Sequence, residues 1–157
     1  MAKKILIALD DSQNAMRAVD FVSAHFTGDA QIALLSVLPD TESLCAMQSP
    51  ELTPYFLDQQ ASFCVLENKK KELIDQTLQE ARRRLVNSGF STASITVNAK
   101  KREKGIARDI IQEAKAGGYD LVVMGKTGLS GIREFFMGSV TQKVVQGAKG
   151  VSVLLVE

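Results

Sequence analysis

The sequence predicts an α/β fold: three layers, doubly wound, with a five-stranded parallel sheet covered by helices on both faces. Short apolar runs recur at Ile5 to Leu9, Ile32 to Leu38, Leu121 to Met124 and Val151 to Val156. Continuous runs of this length belong to strands buried on both faces. Between them, apolar residues return every three or four positions, as on a helix with one buried side. Strand and helix alternate along the chain, the order that parallel strands joined by helical crossovers require. At 157 residues, one domain spanning 1–157 is expected. A chain of that size buries about 68–70% of its unfolded surface and needs neither metal nor disulfide to fold.

The elements follow in order. Ile5 to Leu9 forms the first strand, stopped by Asp10-Asp11-Ser12, and Ser12 or Asp11 can cap the helix after it. Ala15, Ala18, Val19, Val22 and Phe26 mark that helix, and Gly28 is placed to end it. Ile32 to Leu38 is the second strand. Residues 39–66 hold all three prolines, Pro39, Pro50 and Pro54, and read as a long loop with a short helical piece, a lid or contact surface or a loop packed on its own cluster. From about Ser62 to Asn87 the pattern is helical, with Leu73, Ile74, Thr77, Leu78, Ala81, Leu85 and Val86 inside. Lys69 to Lys71 and Arg82 to Arg84 point in several directions among acidic neighbours, which describes a solvated face. Ile95, Val97 and Ala99 alternate with polar residues, as on an edge strand. Gly105 precedes a helix with the stripe Ile106, Ile110, Ile111 and Ala114, and Gly117-Gly118 ends it. Leu121 to Met124 is the fourth strand. Val140, Val144, Val145 and Ala148 mark the last helix, and Val151 to Val156 is the final strand.

Composition narrows the function. Hydrophobic content of 45%, charge of 24% and a net charge of +1 are those of an ordinary globular protein and give no reason to propose nucleic-acid or membrane binding. The first apolar run ends at Asp10, too short for a secretory core, and no run approaches a membrane span, so the cytoplasm is expected. Cys45 and Cys64 lack metal-ligand or CxxC spacing and read as two reduced, partly buried thiols. His25, the one histidine, falls at the end of the first helix in a solvent-facing or capping role, which leaves no histidine for a catalytic triad.

The stretch from Val122 to Val145 carries the chemistry. A strand runs into Gly125, Gly128 and Gly131, and after Phe135-Phe136-Met137 the chain reaches Gly138-Ser139 at a helix start. Bare backbone N–H groups beside a helix N-terminus form a phosphate site. Gly125-Lys126-Thr127 imitates the end of a P-loop, but Asp120 stands where its first glycine belongs, and no G-x-G-x-x-G follows any strand. A third pattern does fit: G-x-x-G at Gly125 and Gly128, nine residues, then Gly138-Ser139. Ser139 and Gln142 have capping-box spacing. In parallel α/β sheets, ligands sit beyond the carboxyl ends of the strands where the winding reverses, which draws in Asp10 after strand one.

That glycine pattern, with an opening strand ending in Asp10, the Asp120 to Gly125 strand and a terminal apolar strand, resembles the ATP-binding branch of the universal stress protein family over nearly the whole chain. The resemblance implies strand order 3-2-1-4-5 and an ATP site drawn from Leu9, Asp10, Val37, Met124, Gly125, Lys126, Gly128, Gly138, Ser139 and Val140. Gly125, Gly128, Gly138 and Ser139 would contact phosphates and ribose, with Asp10 and Val37 against adenosine and Lys126 and Thr127 within the loop. It also implies Mg or Mn bridging the phosphates, and homodimers paired through Val151 to Val156. Lys149-Gly150-Val151-Ser152 departs from the Cys-Pro or Ser-Pro step that often precedes the last strand in that family.

The expected function is an ATP-binding regulatory protein of the stress response. Without a positioned base or a cluster of acidic residues at the loop, hydrolysis would be slow at best. The alternatives are a slow ATPase and a dimeric interaction module of the same fold that uses no nucleotide. A flavin carrier ranks below both, with two tyrosines and no tryptophan to sandwich the ring.

Overall fold

The computed structural model describes residues 3–10, 13–38, 41, 45–46, 53–126 and 137–157. Five parallel strands, β1 (Lys4–Ala8), β2 (Gln31–Leu38), β3 (Ile95–Lys101), β4 (Leu121–Gly125) and β5 (Ser152–Val156), lie in the order β3-β2-β1-β4-β5. The helices are α1 (Gln13–His25), α2 (Pro54–Asn87), α3 (Ile106–Ala116) and α4 (Ser139–Gly147), and one 3-10 turn (Thr92–Ser94) leads into β3. The expected sheet, its order and its helical cover are all present.

The pleat divides the core in two. Ile5, Ile7, Leu9, Ile32, Leu34 and Val123 face α1 and α2, where Ala18, Val19, Val22, Ile74, Leu78 and Leu85 meet them. Leu6, Ala8, Ala33, Leu35, Val37, Val122 and Met124 face α3 and α4, against Ala107, Ile110, Ala114 and Val144. Successive side chains on a strand point to opposite faces, so each central strand is apolar on both, with Ser36 of β2 a buried polar exception. β3, with only β2 as partner, alternates from Ile95 to Asn98 as expected of an edge, but the pattern breaks at Ala99, which is exposed while Lys100 is half-buried.

Three expectations need correction. First, the helix predicted from about Ser62 begins at Pro54 and runs 34 residues, absorbing much of the stretch read as loop. The Thr53 hydroxyl accepts from the Phe56 N–H at 3.2 Å and Pro54 takes the first turn, where its missing N–H costs nothing. Thr53-Pro54 is therefore a helix start, although proline density suggested a break. Second, Cys45 and Cys64 are not free thiols. They form a disulfide with Cα atoms 5.9 Å apart. The early start of α2 carries Cys64 on a rigid helix to within reach of the turn at Cys45, which spacing along the chain does not reveal. Third, α1 ends at His25, before Gly28. A Cβ on Gly28 would lie 2.7 Å from the Gly89 carbonyl oxygen, so this glycine serves the close approach of two turns at the amino end of the sheet.

The remaining helix-end expectations hold. His25 closes α1, exposed, stacked on Phe21 and within 2.9 Å of its carbonyl. Asn87 and Ala116 end α2 and α3 ahead of their glycines. Gly150 turns the chain into β5 at φ 78°, a conformation that suits glycine. The basic triplet Arg82 to Arg84 is a solvated face. Hydrogen bonds from Arg83 and then Arg84 hold the Glu80 carboxyl down at about 2, and Arg84 also reaches Asp20 on α1 at 2.9 Å. Among the described residues no helix is long and apolar enough to cross a membrane.

Candidate nucleotide site

The sheet order makes β1 and β4 neighbours, with chain winding outward from them in both directions, and places the switch point at their carboxyl ends. Leu9 is buried there and its N–H donates to the Leu35 carbonyl at 2.8 Å, which locks the exit of β1 to β2. Asp10 follows, half-buried. Val37 and Met124 are buried on the α3–α4 side of the sheet, whereas Leu9 faces the α1–α2 side. The residues expected at the site thus come from β1 and the strands on either side of it, and from both faces of the sheet.

At β4 the chain is stitched at three points. Lys126 N–H donates to the Val156 carbonyl at 2.9 Å, extending the β4–β5 ladder. The Lys126 carbonyl accepts the Gly138 N–H at 3.0 Å. The Thr141 hydroxyl donates to the Gly125 carbonyl at 3.1 Å. The two halves of the glycine motif, far apart along the chain, are therefore in direct contact. Lys126 Nζ lies 3.8 Å from the Glu157 carboxylate, an exposed pairing of little energetic weight. Gly128 and Thr127, with Asp11, Ser12, Arg133, Phe135 and Phe136, fall outside the described residues.

The start of α4 differs from the capping box predicted for it. Gly138 is the N-cap, no side chain caps the helix, and its first turn has no acidic residue. The Gln142 N–H bonds to the Gly138 carbonyl at 2.9 Å, so Ser139 is the exposed first residue inside the helix. One residue of offset turns a reciprocal cap into an open end. The first-turn N–H groups of such a helix have no acceptor within it, and the partial positive charge there favours an anion by about 0.3–1 kcal/mol, more when partly buried. Val140 is half-buried and packs on the α3–α4 core, which fixes the helix start in place.

Two residues that sequence reasoning passed over complete this end of the molecule. Ser36, Asp109 and Thr141 are the buried polar residues among those described, and two of them tie loops at the carboxyl ends of strands. Asp109 is fully buried and accepts N–H groups from Glu103 at 2.7 Å and Lys104 at 3.1 Å, which shapes the turn from β3 into α3. Burial pushes its carboxyl up, but the backbone donors of Glu103, Lys104 and Gly105 and the charge of Lys100 outweigh it, and the group titrates below its ordinary 3.8. A polar residue within an apolar helix stripe was the available signal: Asp109 beside Ile110, and Thr141 one turn before Val144. Among the described residues no group of three or more His, Cys, Asp or Glu is arranged to hold a metal ion.

Known proteins show the same architecture. The Bacillus subtilis (strain 168) universal stress protein YxiE is 28% identical over 153 residues, 93% of each chain. The Methanocaldococcus jannaschii universal stress protein MJ0577 is 27% identical over 154 residues, 93% of this chain and 90% of that one. A solved structure of MJ0577 superposes with a TM-score of 0.73 at 24% identity, covering 99% of this chain and 96% of that chain. Two more distant folds were solved with nucleotides. One is an Arabidopsis thaliana universal stress protein family protein with AMP bound (TM-score 0.64, 18% identity, 99% and 92% of the two chains). The other is the Archaeoglobus fulgidus universal stress protein in complex with dAMP (TM-score 0.60, 17% identity, 100% and 98%). The family model described as the universal stress protein family matches residues 1–157, and the chain belongs to that family.

Proposed function

We propose that this chain is an ATP-binding regulatory protein of the stress response, which holds the nucleotide at the carboxyl ends of β1 and β4 and cleaves it slowly or not at all. The observation that carries this reading is the uncapped start of α4, joined by the Gly138 N–H to the Lys126 carbonyl at the exit of β4. Among the described residues no side chain caps those donors, and an anion could accept from them. The AMP and dAMP found on related folds support an adenine nucleotide as the ligand. Asp10 and Val37 would bear on the adenosine, and Gly125, Gly128, Gly138 and Ser139 on ribose and phosphates. Mg or Mn would bridge the phosphates. His25 closes α1 and the two cysteines are bonded to each other, which leaves no histidine at the start of α4 and no free thiol as a nucleophile among the described residues, so the site favours retention over turnover. Among the described residues β5 pairs with β4 alone, and an open parallel edge offers backbone groups to a second copy, which supports a homodimer through Val151 to Val156. The cytoplasm is the proposed location.

The test is to purify the chain without added nucleotide, denature it, identify what is released, and titrate the emptied protein with ATP, AMP and Mg. ATP released, or taken up on titration, is the expected result. The Gly138→Val, Ser139→Ala double change should abolish binding while circular dichroism stays unaltered. A wild-type chain that neither releases nor binds adenine nucleotide would sink the proposal, and so would a double variant of unchanged affinity.

A further inference from the structure

The long helix α2 is anchored along only part of its length. Its buried residues are Ile74, Leu78, Ala81 and Leu85, all in the second half. From Pro54 to Leu73, about 30 Å of helix, no residue is buried, and Tyr55, Phe56, Leu57, Phe63, Val65 and Leu66 are exposed. A helix without a packed face has little to hold it beyond local propensity, and here good helix formers such as Ala61, Leu66 and Glu67 are interrupted by Tyr55, Phe56, Asp58, Ser62, Phe63, Val65 and Asn68. In its middle sits Cys64, bonded to Cys45 across 19 positions of chain. The Cys45 N–H donates to the Thr41 carbonyl at 3.0 Å. The covalent path from Cys64 thus returns to Leu38, at the carboxyl end of β2, through the short segment that ends at Cys45. Cys45 is exposed and Cys64 half-buried, so the bond is open to attack.

We propose that Cys45–Cys64 is a reversible thiol–disulfide modification site whose state decides whether the first half of α2 is held to the sheet. The reductant is a dithiol. Its thiolate attacks Sγ of Cys45, the S–S bond breaks, and Cys64 leaves as a thiolate that takes up a proton. The second thiol of the reductant then displaces Cys45 from the mixed disulfide. Two electrons and two protons pass to the pair, and the dithiol becomes a disulfide. Oxidised glutathione reverses the step, its disulfide becoming two thiols as the protein bond forms. A cross-link acts by limiting the freedom of the chain it closes, and its loss is felt most where no packing replaces it.

The test uses the full chain in buffers of dithiothreitol or oxidised glutathione, with the disulfide fraction read by thiol alkylation and mass, and order read by amide hydrogen exchange. The pair should convert in both directions. On reduction, exchange over residues 54–73 should rise by about tenfold or more, while residues 74–87 stay unchanged. Cys64→Ser should show the reduced pattern in oxidising buffer. A bond that survives dithiothreitol, thiols that never pair in oxidised glutathione, or exchange over 54–73 that ignores the redox state would each overturn the proposal. None of these readings depends on nucleotide.

Discussion

Asp109 allows a sharp test of how the carboxyl end of the sheet is held. Asp109→Asn keeps size and shape and removes the charge. Glu103 N–H at 2.7 Å and Lys104 N–H at 3.1 Å reach different carboxylate oxygens, so one keeps a weaker neutral acceptor and the other faces an amide NH2 that cannot accept. Weakening one charge-assisted bond and orphaning one buried donor costs about 3 kcal/mol together. For a domain of this size that lowers Tm by about 6–12 °C. The pH dependence carries a definite sign. The folded carboxyl titrates below its ordinary 3.8, so its contribution is complete above that value and fades as pH falls through the lower folded pKa. Urea unfolding of both proteins from about pH 7 down to about pH 3 should show a constant gap above about pH 5 that closes in acid. An equal gap at both ends of the range would refute the ionised carboxylate as its source. A variant as stable as wild type at neutral pH would refute the assignment of Asp109 as the pin of this turn.

Other perturbations separate fold from site. Thr141→Val removes the hydroxyl from the Gly125 carbonyl and should cost about 1 kcal/mol in urea unfolding, with weaker nucleotide binding, whereas Thr141→Ser keeps the bond and should lie closer to wild type. Gly28→Ala drives a Cβ to 2.7 Å from the Gly89 carbonyl oxygen. It should destabilise by about 1–3 kcal/mol in the same assay and leave nucleotide affinity alone, since these turns lie at the opposite end of the sheet.

The central strands were legible in the sequence because each needs apolar residues on both faces, as Ile5 to Leu9 and Ile32 to Leu38 have. The ends of β1 and β4 followed from strand order, and the contact between Lys126 and Gly138 joins the halves of the motif that pointed there. What escaped depended on three-dimensional proximity or on a single position of offset. The capping box at Ser139 and Gln142 is a spacing, and the helix starts one residue too early for it to close. Thr53-Pro54 reads equally well as a break or as a start until it is clear what lies on either side. The Cys45–Cys64 bond depends on where α2 begins, so one misplaced boundary hid it. Asp109 and Thr141 act through backbone groups of other segments, and a residue's own neighbours in sequence do not name such partners.

The bond between the Lys126 carbonyl and the Gly138 N–H clamps the exit of β4 to the start of α4. β4 lies between β1 and β5, so the helix N-terminus takes its position from the sheet itself. A ligand that used the backbone donors there would find them already in place, and little ordering would remain to be done on binding.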